Sequence, residues 1–303
     1  MLFRSLDGLE AADQALLVPA FEYAHWDMLT ESPDDIWTSV ARYARIMAKD
    51  LDALTTRIGI DEHDTLLFHT ANLVDVFATT EWLGRIAPAA RPEIRLLFHF
   101  VPEQEAQWLK QSTEQVRQIY QVAFALLEAC AGDRVQILAQ TSALAAELSV
   151  AFDRPVAPMG FPVTPQRRQG GAVGHAPRVL YAGEARTDKG FGLLPDIVRA
   201  LGPDLDAGRL RLVCQISQNE FAGVALREAA DALSRTPGVE VVRGFLPSGE
   251  YERVFASCDL VVLPYDPAQY RARLSAVFVD ATSMGMPVVV PDGTWMSGQL
   301  AEG

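Results

Sequence analysis

Apolar and polar positions change period along this chain, and each change marks an element. In IWTSVARYARIMAKDLDALTTRIG, the residues Ile36, Val40, Tyr43, Ile46, Leu51 and Leu54 recur at helical spacing, which predicts one long amphipathic helix. Short apolar runs then alternate with longer amphipathic ones. TLLFH (65–69), IRLLFHF (94–100) and VQILAQ (135–140) read as buried strands. They are followed by helices over 73–86, over Glu103 to Ala131, and over SALAAELSVAF, with Ser142 as the expected cap of the last. A short extended piece, PVAPMGFPV, closes this half.

The alternation restarts at RVLYAG (178–183). Strands are expected at 178–183, 209–217, 239–245, 259–265 and 286–291. The helices between them are GLLPDIVRALG ending at Gly202, NEFAGVALREAADALS, SGEYERVFASC with Ser248 as cap, and SAVFVDATSMG. Strands alternating with helices predict parallel sheets covered on both faces. The fold class expected is α/β, with two Rossmann-like domains facing a cleft. The first domain covers 1–165, the polar stretch 166–177 (QRRQGGAVGHAP) is a linker, and the second domain covers 178–303. The first half opens on a helix with no strand before it, and the second stops soon after its fifth strand. Both ends therefore read as cut.

Composition narrows the function. The chain has 303 residues, enough for two domains of about 150 residues each and, at 49% hydrophobic, for a core in each. A net charge of −13 and a pI near 4.8 argue against a nucleic-acid partner, whose phosphates need clustered Lys and Arg. No apolar run approaches the ~20 residues that span a bilayer, and no signal-peptide core opens the chain. Peripheral contact with a membrane stays open. Cys130, Cys214 and Cys258 are widely spaced in apolar stretches and read as reduced core thiols without metal-ligand spacing. A cytoplasmic protein is expected.

Two loops carry candidate chemistry. In YAGEARTDKGF (181–191) a strand ends at Gly183 and a helix is expected to begin near Gly190, so its free N–H groups offer an anion site. Arg186 and Lys189 lie in the same turn and can clamp a diphosphate. The alternative is a surface loop with solvated charges. In PYDPAQYRARLSAVFVDATSMGMPVVVP (264–291) a second strand ends in a loop bearing Tyr270, Arg271, Arg273, Leu274 and Ser275. Ser275 can cap the next helix and aim its N–H groups at a second anion. Asp280, within that helix, can accept from a ribose diol, or is simply a surface acid. Gly285-Met286-Pro287 ends the helix.

Taken in order, these segments resemble the carboxyl-terminal domain of retaining GT-B glycosyltransferases. The group is the large glycosyltransferase family 4 (group 1) type, which includes sucrose synthases and bacterial mannosyltransferases. That family has a strand, glycine-arginine, then lysine-glycine and a helix; here Gly183, Lys189 and Gly190 match. Further on it has a strand ending in proline, two glutamates, alanine, a glycine-x-proline turn and a valine-rich strand; here LVVLPY, Asp280-Ala281, Gly285, Pro287 and VVV match. VVRGFLPSGEYERVFASCDLVVLP, with Gly244 and Phe245, resembles the glycine loop between them. The departures are Glu184 where the arginine stands, with Arg186 in its stead, and Ala272 and Asp280 in the register of the two glutamates.

The resemblance implies transfer of sugar from a nucleoside diphosphate sugar with retention, as in polysaccharide biosynthesis. It implies a donor held by Gly183, Arg186, Lys189, Gly244, Phe245, Arg273, Leu274, Ser275 and Asp280. Of these, Arg186 and Lys189 stabilise the leaving diphosphate. No metal or other cofactor is expected. The acceptor (a sugar, a polysaccharide or a lipid-linked molecule) is open, as is the donor's base. In the first half, IRLLFHF resembles the strand whose histidine faces the donor sugar, which gives His99 a catalytic role. A hydrogen-bonded structural histidine is the equal alternative, and for His69 the preferred one. Glu103 and Glu105 can serve an acceptor or complement a helix dipole. Two rival functions remain: a GT-B nucleotide-sugar epimerase, and a non-catalytic nucleotide-sugar-binding protein.

Overall fold

The structure, a computed structural model, describes residues 20–21, 36–163, 176–217 and 224–302. The chain divides into two compact units, Met1–Gly160 and Phe161–Gly303. The stretch expected as a linker, 166–177, lies outside the described residues except for Ala176 and Pro177.

The first unit is a parallel sheet of four strands in the order β1-β2-β3-β4: Thr65–Phe68, Glu93–Phe98, Val135–Ala139 and Ala157–Pro158. Helix α1 (Ile36–Ile58) follows its predicted period, burying Val40, Tyr43, Met47 and Leu51. It packs on α2 (Leu73–Leu83), where the indole of the fully buried Trp82 donates to Thr55 Oγ1 at 3.1 Å. The segment expected as one helix is two, α3 (Pro102–Leu109) and α4 (Thr113–Ala131). Lys110 takes a left-handed conformation (φ 54°), and Ser112 with Gln115 forms a capping box that starts a new helix. Helix α5 (Ser142–Phe152) is capped by Thr141, which accepts from Leu144 N at 3.0 Å; Ser142 is already helical. The rings of Phe98, Tyr120, Phe124 and Phe152 meet at centroid distances of 4.7 to 6.1 Å and form the core between sheet and helices.

Two acids are buried in that core. Asp75 accepts from Asn72 N at 2.8 Å, and Glu105 accepts from Leu73 N at 3.3 Å and from the Tyr120 hydroxyl. Glu105 is therefore an internal brace, unavailable to an acceptor. Burial raises both acids to about 7, with Glu105 pushing Asp75 further. The fold thus keeps two protons that the unfolded chain, with carboxyls near 3.8 and 4.5, gives up earlier. Their stabilisation is complete below the unfolded values and lost as pH rises through about 7. His99, lowered to about 4 by burial, opposes this with one proton below 6.5. Stability should fall as pH rises through about 7. Chemical denaturation at a series of pH values should show this slope, and should show it removed in Asp75→Asn/Glu105→Gln.

The second unit is a parallel sheet of five strands in the order β7-β6-β5-β8-β9. They are β5 (Arg178–Glu184), β6 (Arg211–Ser217), β7 (Val239–Arg243), β8 (Leu260–Val262) and β9 (Val288–Val289). Successive residues of β5 serve opposite faces. Leu180 and Ala182 join a core with Phe255, Val261, Phe278 and Met296; Tyr181 joins another with Phe191, Leu194, Cys214 and Ile216. Helices α6 (Leu194–Asp206), α7 (Val224–Leu233), α8 (Ser248–Ala256), α9 (Pro267–Tyr270), α10 (Ala276–Ser283) and α11 (Trp295–Glu302) complete the unit. Gly202 does not end α6, which runs on through Pro203 because Leu205, buried against Gly238, anchors its last turn. Pro247, not Ser248, precedes α8, and no side chain caps it. None of the three cysteines is in a disulfide; Cys214 and Cys258 are buried and Cys130 is partly so. No helix among the described residues is long and apolar enough to cross a membrane.

Candidate functional site

The strand order of the second unit selects one place. From β5 the chain moves outward through β6 to β7, then returns to the other side of β5 for β8 and β9. The order reverses between β5 and β8, and in open parallel sheets ligands bind at the carboxyl ends of the strands flanking such a switch point. The two loops singled out in the sequence leave those two strands.

The first loop is tighter than its sequence suggests. After β5 come two single 3-10 turns, Thr187–Lys189 and Phe191–Leu193, with Gly190 left-handed between them (φ 67°). The second turn runs straight into helix α6 at Leu194, so the helical segment that follows Gly190 opens with a 3-10 turn. The N–H groups of Lys189, Gly190, Phe191 and Leu193 are already bonded to carbonyls of the loop. The anion-binding capacity expected from a helix start here passes to side chains. Gly183 (φ 131°) leaves room for one of them: a Cβ built there would lie 3.3 Å from Lys189 Nζ and 3.8 Å from Tyr265 Oη.

Lys189 is mostly buried. Burial, with the neighbouring Arg186 next, lowers its pKa to about 8, while Glu184 and Asp188 pull it back up. Arg186 forks onto Asp188, with Nε to Oδ1 at 2.8 Å and a second bond from Nη2, and reaches Glu184 Oε2 at 3.1 Å. Burial opposes the guanidinium charge, but Asp188, with Tyr270 and Glu184, outweighs it.

The second loop meets the first. Arg273 Nη1 lies 3.3 Å from Asp188 Oδ2, and its guanidinium stands 5.0 Å above the Tyr270 ring. The Tyr270 hydroxyl is 3.5 Å from the same carboxylate, and its ring packs 4.5 Å from that of Tyr265. Burial would raise Asp188; Arg186, and then Arg273 and Lys189, hold it below the ordinary carboxylate range. Burial lowers Arg273. The main chains touch as well: Asp266 N donates to Asp188 O at 2.9 Å, and Gly190 lies against the Pro264 carbonyl. Tyr265, beside Ser275, has a fully buried hydroxyl with no hydrogen bond of good geometry among the described residues.

The other expected residues fall around this centre. Ser275 caps α10 as read, accepting from Phe278 N at 3.2 Å, and Leu274 is half-buried before it. Asp280 accepts from the Tyr251 hydroxyl at 3.1 Å and is raised by burial, against the pull of that bond. Gly244 (φ 97°) follows β7, bonded to Ile216 O and to the Gln215 amide, and turns Phe245 outward to 72% exposure. His99 belongs to the first unit. Its Nε2 contacts the His69 carbonyl, which can only accept, so the ring is a donor there; the Gln140 side chain is a second hydrogen-bonding neighbour of the ring. His69 is exposed and near Thr70 Oγ1, and Glu103 pairs with Arg117.

Asp188, Tyr251 and Tyr265 were not among the expected residues. An acid between Arg186 and Lys189 was a visible signal for the first; Tyr251 and Tyr265 look in sequence like ordinary core aromatics. No group of three or more His, Cys, Asp or Glu is arranged to hold a metal ion among the described residues.

No family model matches the chain, and no curated protein matches it. Solved structures do. An α,α-trehalose-phosphate synthase (UDP-forming) from Burkholderia vietnamiensis superposes with a TM-score of 0.60 at 13% identity, over 91% of this chain and 70% of that one. The catalytic domain of starch synthase IV from Arabidopsis thaliana, bound to ADP and acarbose, gives 0.58 at 12%, over 91% and 63%. The pneumococcal O-GlcNAc transferase GtfA, in complex with UDP and GlcNAc, gives 0.52 at 11%, over 81% and 45%. The shared feature is the fold: α/β with parallel sheets, as in GT-B glycosyltransferases.

Proposed function

We propose that the chain is a glycosyltransferase that takes a nucleoside diphosphate sugar as donor and transfers its sugar with retention. The observation that carries this reading is the convergence of Lys189, Arg186 and Arg273 at the switch point of the second unit. Likeness of fold to structures of nucleotide-sugar enzymes, one holding ADP and one UDP, supports it. The diphosphate lies against these cations, which stabilise charge as it develops on the leaving group. The acceptor oxygen bonds to the anomeric carbon as the carbon–phosphate-oxygen bond breaks, and the acceptor's proton passes to the departing diphosphate. Phe245, 72% exposed, offers a face to the base. The chain's own cations do the neutralising, so no metal is required. His99, uncharged near neutral pH, contributes a neutral ring rather than a cation. The acceptor is a sugar, a polysaccharide or a lipid-linked molecule, and the setting is the cytoplasm.

Asp280, held by Tyr251, takes the ribose hydroxyls. Tyr251→Phe removes one hydrogen bond, about 1 kcal/mol or roughly fivefold in affinity. Calorimetry should find that loss for UDP, GDP or ADP and none for inorganic pyrophosphate. An equal loss for both would remove Asp280 from the ribose site. The function itself is tested by incubating the protein with UDP-, GDP- and ADP-hexoses and an acceptor panel. Release of nucleoside diphosphate matched by a new glycoside supports transfer. Release or epimerisation without a glycoside contradicts it.

A further inference from the structure

One carboxylate joins the two loops of the site. Asp188 stands between Arg186 and Lys189 in sequence, yet its partners come from both loops. Arg186 binds it with two nitrogens, Arg273 approaches at 3.3 Å and Tyr270 at 3.5 Å, while its own carbonyl accepts from Asp266 N. Three cations (Arg186, Lys189, Arg273) meet two carboxylates (Glu184, Asp188), an excess of one positive charge.

An acid at the centre of an anion site can act in two opposite ways. As a competing counter-ion, Asp188 would occupy the cations that phosphate needs, and removing its charge would tighten anion binding. As a scaffold, it would fix two long, flexible side chains from different loops before the anion arrives, and removing it would weaken binding. The geometry separates these. Arg186 keeps Glu184 as a second carboxylate, so loss of Asp188 would not free its charge for a ligand. Arg273 would lose the carboxylate that holds it beside Arg186, in a place where burial already disfavours its charge. The main-chain bond from Asp266 ties the Asp188 backbone to the second loop, so its carboxylate is presented to both guanidinium groups from a point fixed to both loops.

We propose that Asp188 is a positioning residue that sets Arg186 and Arg273 side by side, across the two loops, as one anion-binding pair. This rests on reading the site as the place of a diphosphate, and its test has one arm that needs no ligand. In nitrogen-15 NMR of the arginine side chains, Arg186 and Arg273 should show hindered guanidinium rotation and protected N–H protons. Both features should be lost together in Asp188→Asn and kept in Asp188→Glu. Unchanged signals in the Asn variant overturn the proposal.

The second arm measures binding of inorganic pyrophosphate, UDP, GDP and ADP. Asp188→Asn should weaken binding roughly tenfold, the worth of one well-placed charge-assisted bond, although it adds net positive charge. Asp188→Glu should restore most of it. Tighter binding to Asp188→Asn overturns the proposal and makes Asp188 a competitor. If the unaltered protein binds none of these probes while the arginine signals respond as described, the pairing of Arg186 and Arg273 stands. The diphosphate reading then fails separately.

Discussion

Gly190→Ala is expected to abolish nucleotide binding and to destabilise the second unit by about 3 kcal/mol or more. A Cβ at this position would lie 1.8 Å from the Pro264 carbonyl oxygen and 2.7 Å from its carbon. Both are backbone atoms at the end of the neighbouring strand, so neither can turn aside. The left-handed φ of 67° adds its own cost of about 1–2 kcal/mol for a residue with a side chain. To relieve the overlap the two loops must separate, and that separation breaks the Asp266–Asp188 bond and draws Arg273 away from Arg186. Thermal unfolding should show a midpoint lower by on the order of 10 °C, and calorimetry no saturable nucleotide binding. Gly192→Ala is the control, because a Cβ there meets nothing within 4 Å, and it should behave like the parent protein. A Gly190→Ala protein with normal stability and binding would show that the loops do not need their close approach.

Lys189→Ala should leave the fold intact and remove the function. Its ammonium lies over Gly183 at the carboxyl end of β5, and bonds from a charged donor to phosphate are worth about 1.5–3 kcal/mol. Nucleoside diphosphate affinity should therefore drop by roughly tenfold to a hundredfold. Transfer should slow by on the order of a hundredfold or more, because the leaving group develops its charge where the ammonium stood. The pKa of about 8 adds a signature that simple electrostatic attraction would not give. Affinity should fall as pH rises through 8, as the free protein loses the proton on Lys189. Lys189→Arg, which cannot lose its charge in this range, should bind without that alkaline fall. A pH-independent affinity in the parent protein would place the diphosphate elsewhere.

The fold was legible in the sequence wherever burial sets the period. All of the long apolar runs became strands, and their alternation with helices gave parallel sheets. Helix ends were read less well: Thr141 rather than Ser142 caps α5, and α8 begins at Ser248 after Pro247 with no side-chain cap at all. The break at Lys110 had a signal in the Ser112–Gln115 capping box. The run of α6 through Pro203 had none, since it depends on Leu205 finding Gly238 in space.

The site was legible as two loops but not as one. Spacing marked Arg186, Lys189, Arg273 and Ser275, each in a loop that follows a strand. That the two strands are neighbours at a switch point follows from sheet order, which spacing along the chain does not encode. Asp188 therefore read as one more loop charge, and the hydrogen bond that Tyr251 gives Asp280 was hidden in an ordinary amphipathic helix.

The most direct measurement is the binding of UDP, GDP and ADP, each with and without a linked hexose, to the parent protein and to Lys189→Ala and Arg186→Ala. Saturable binding of one nucleotide, weakened in both variants, is the result expected from a donor site at the ends of β5 and β8. Binding that neither substitution weakens, or no binding to any of the six ligands, would contradict it.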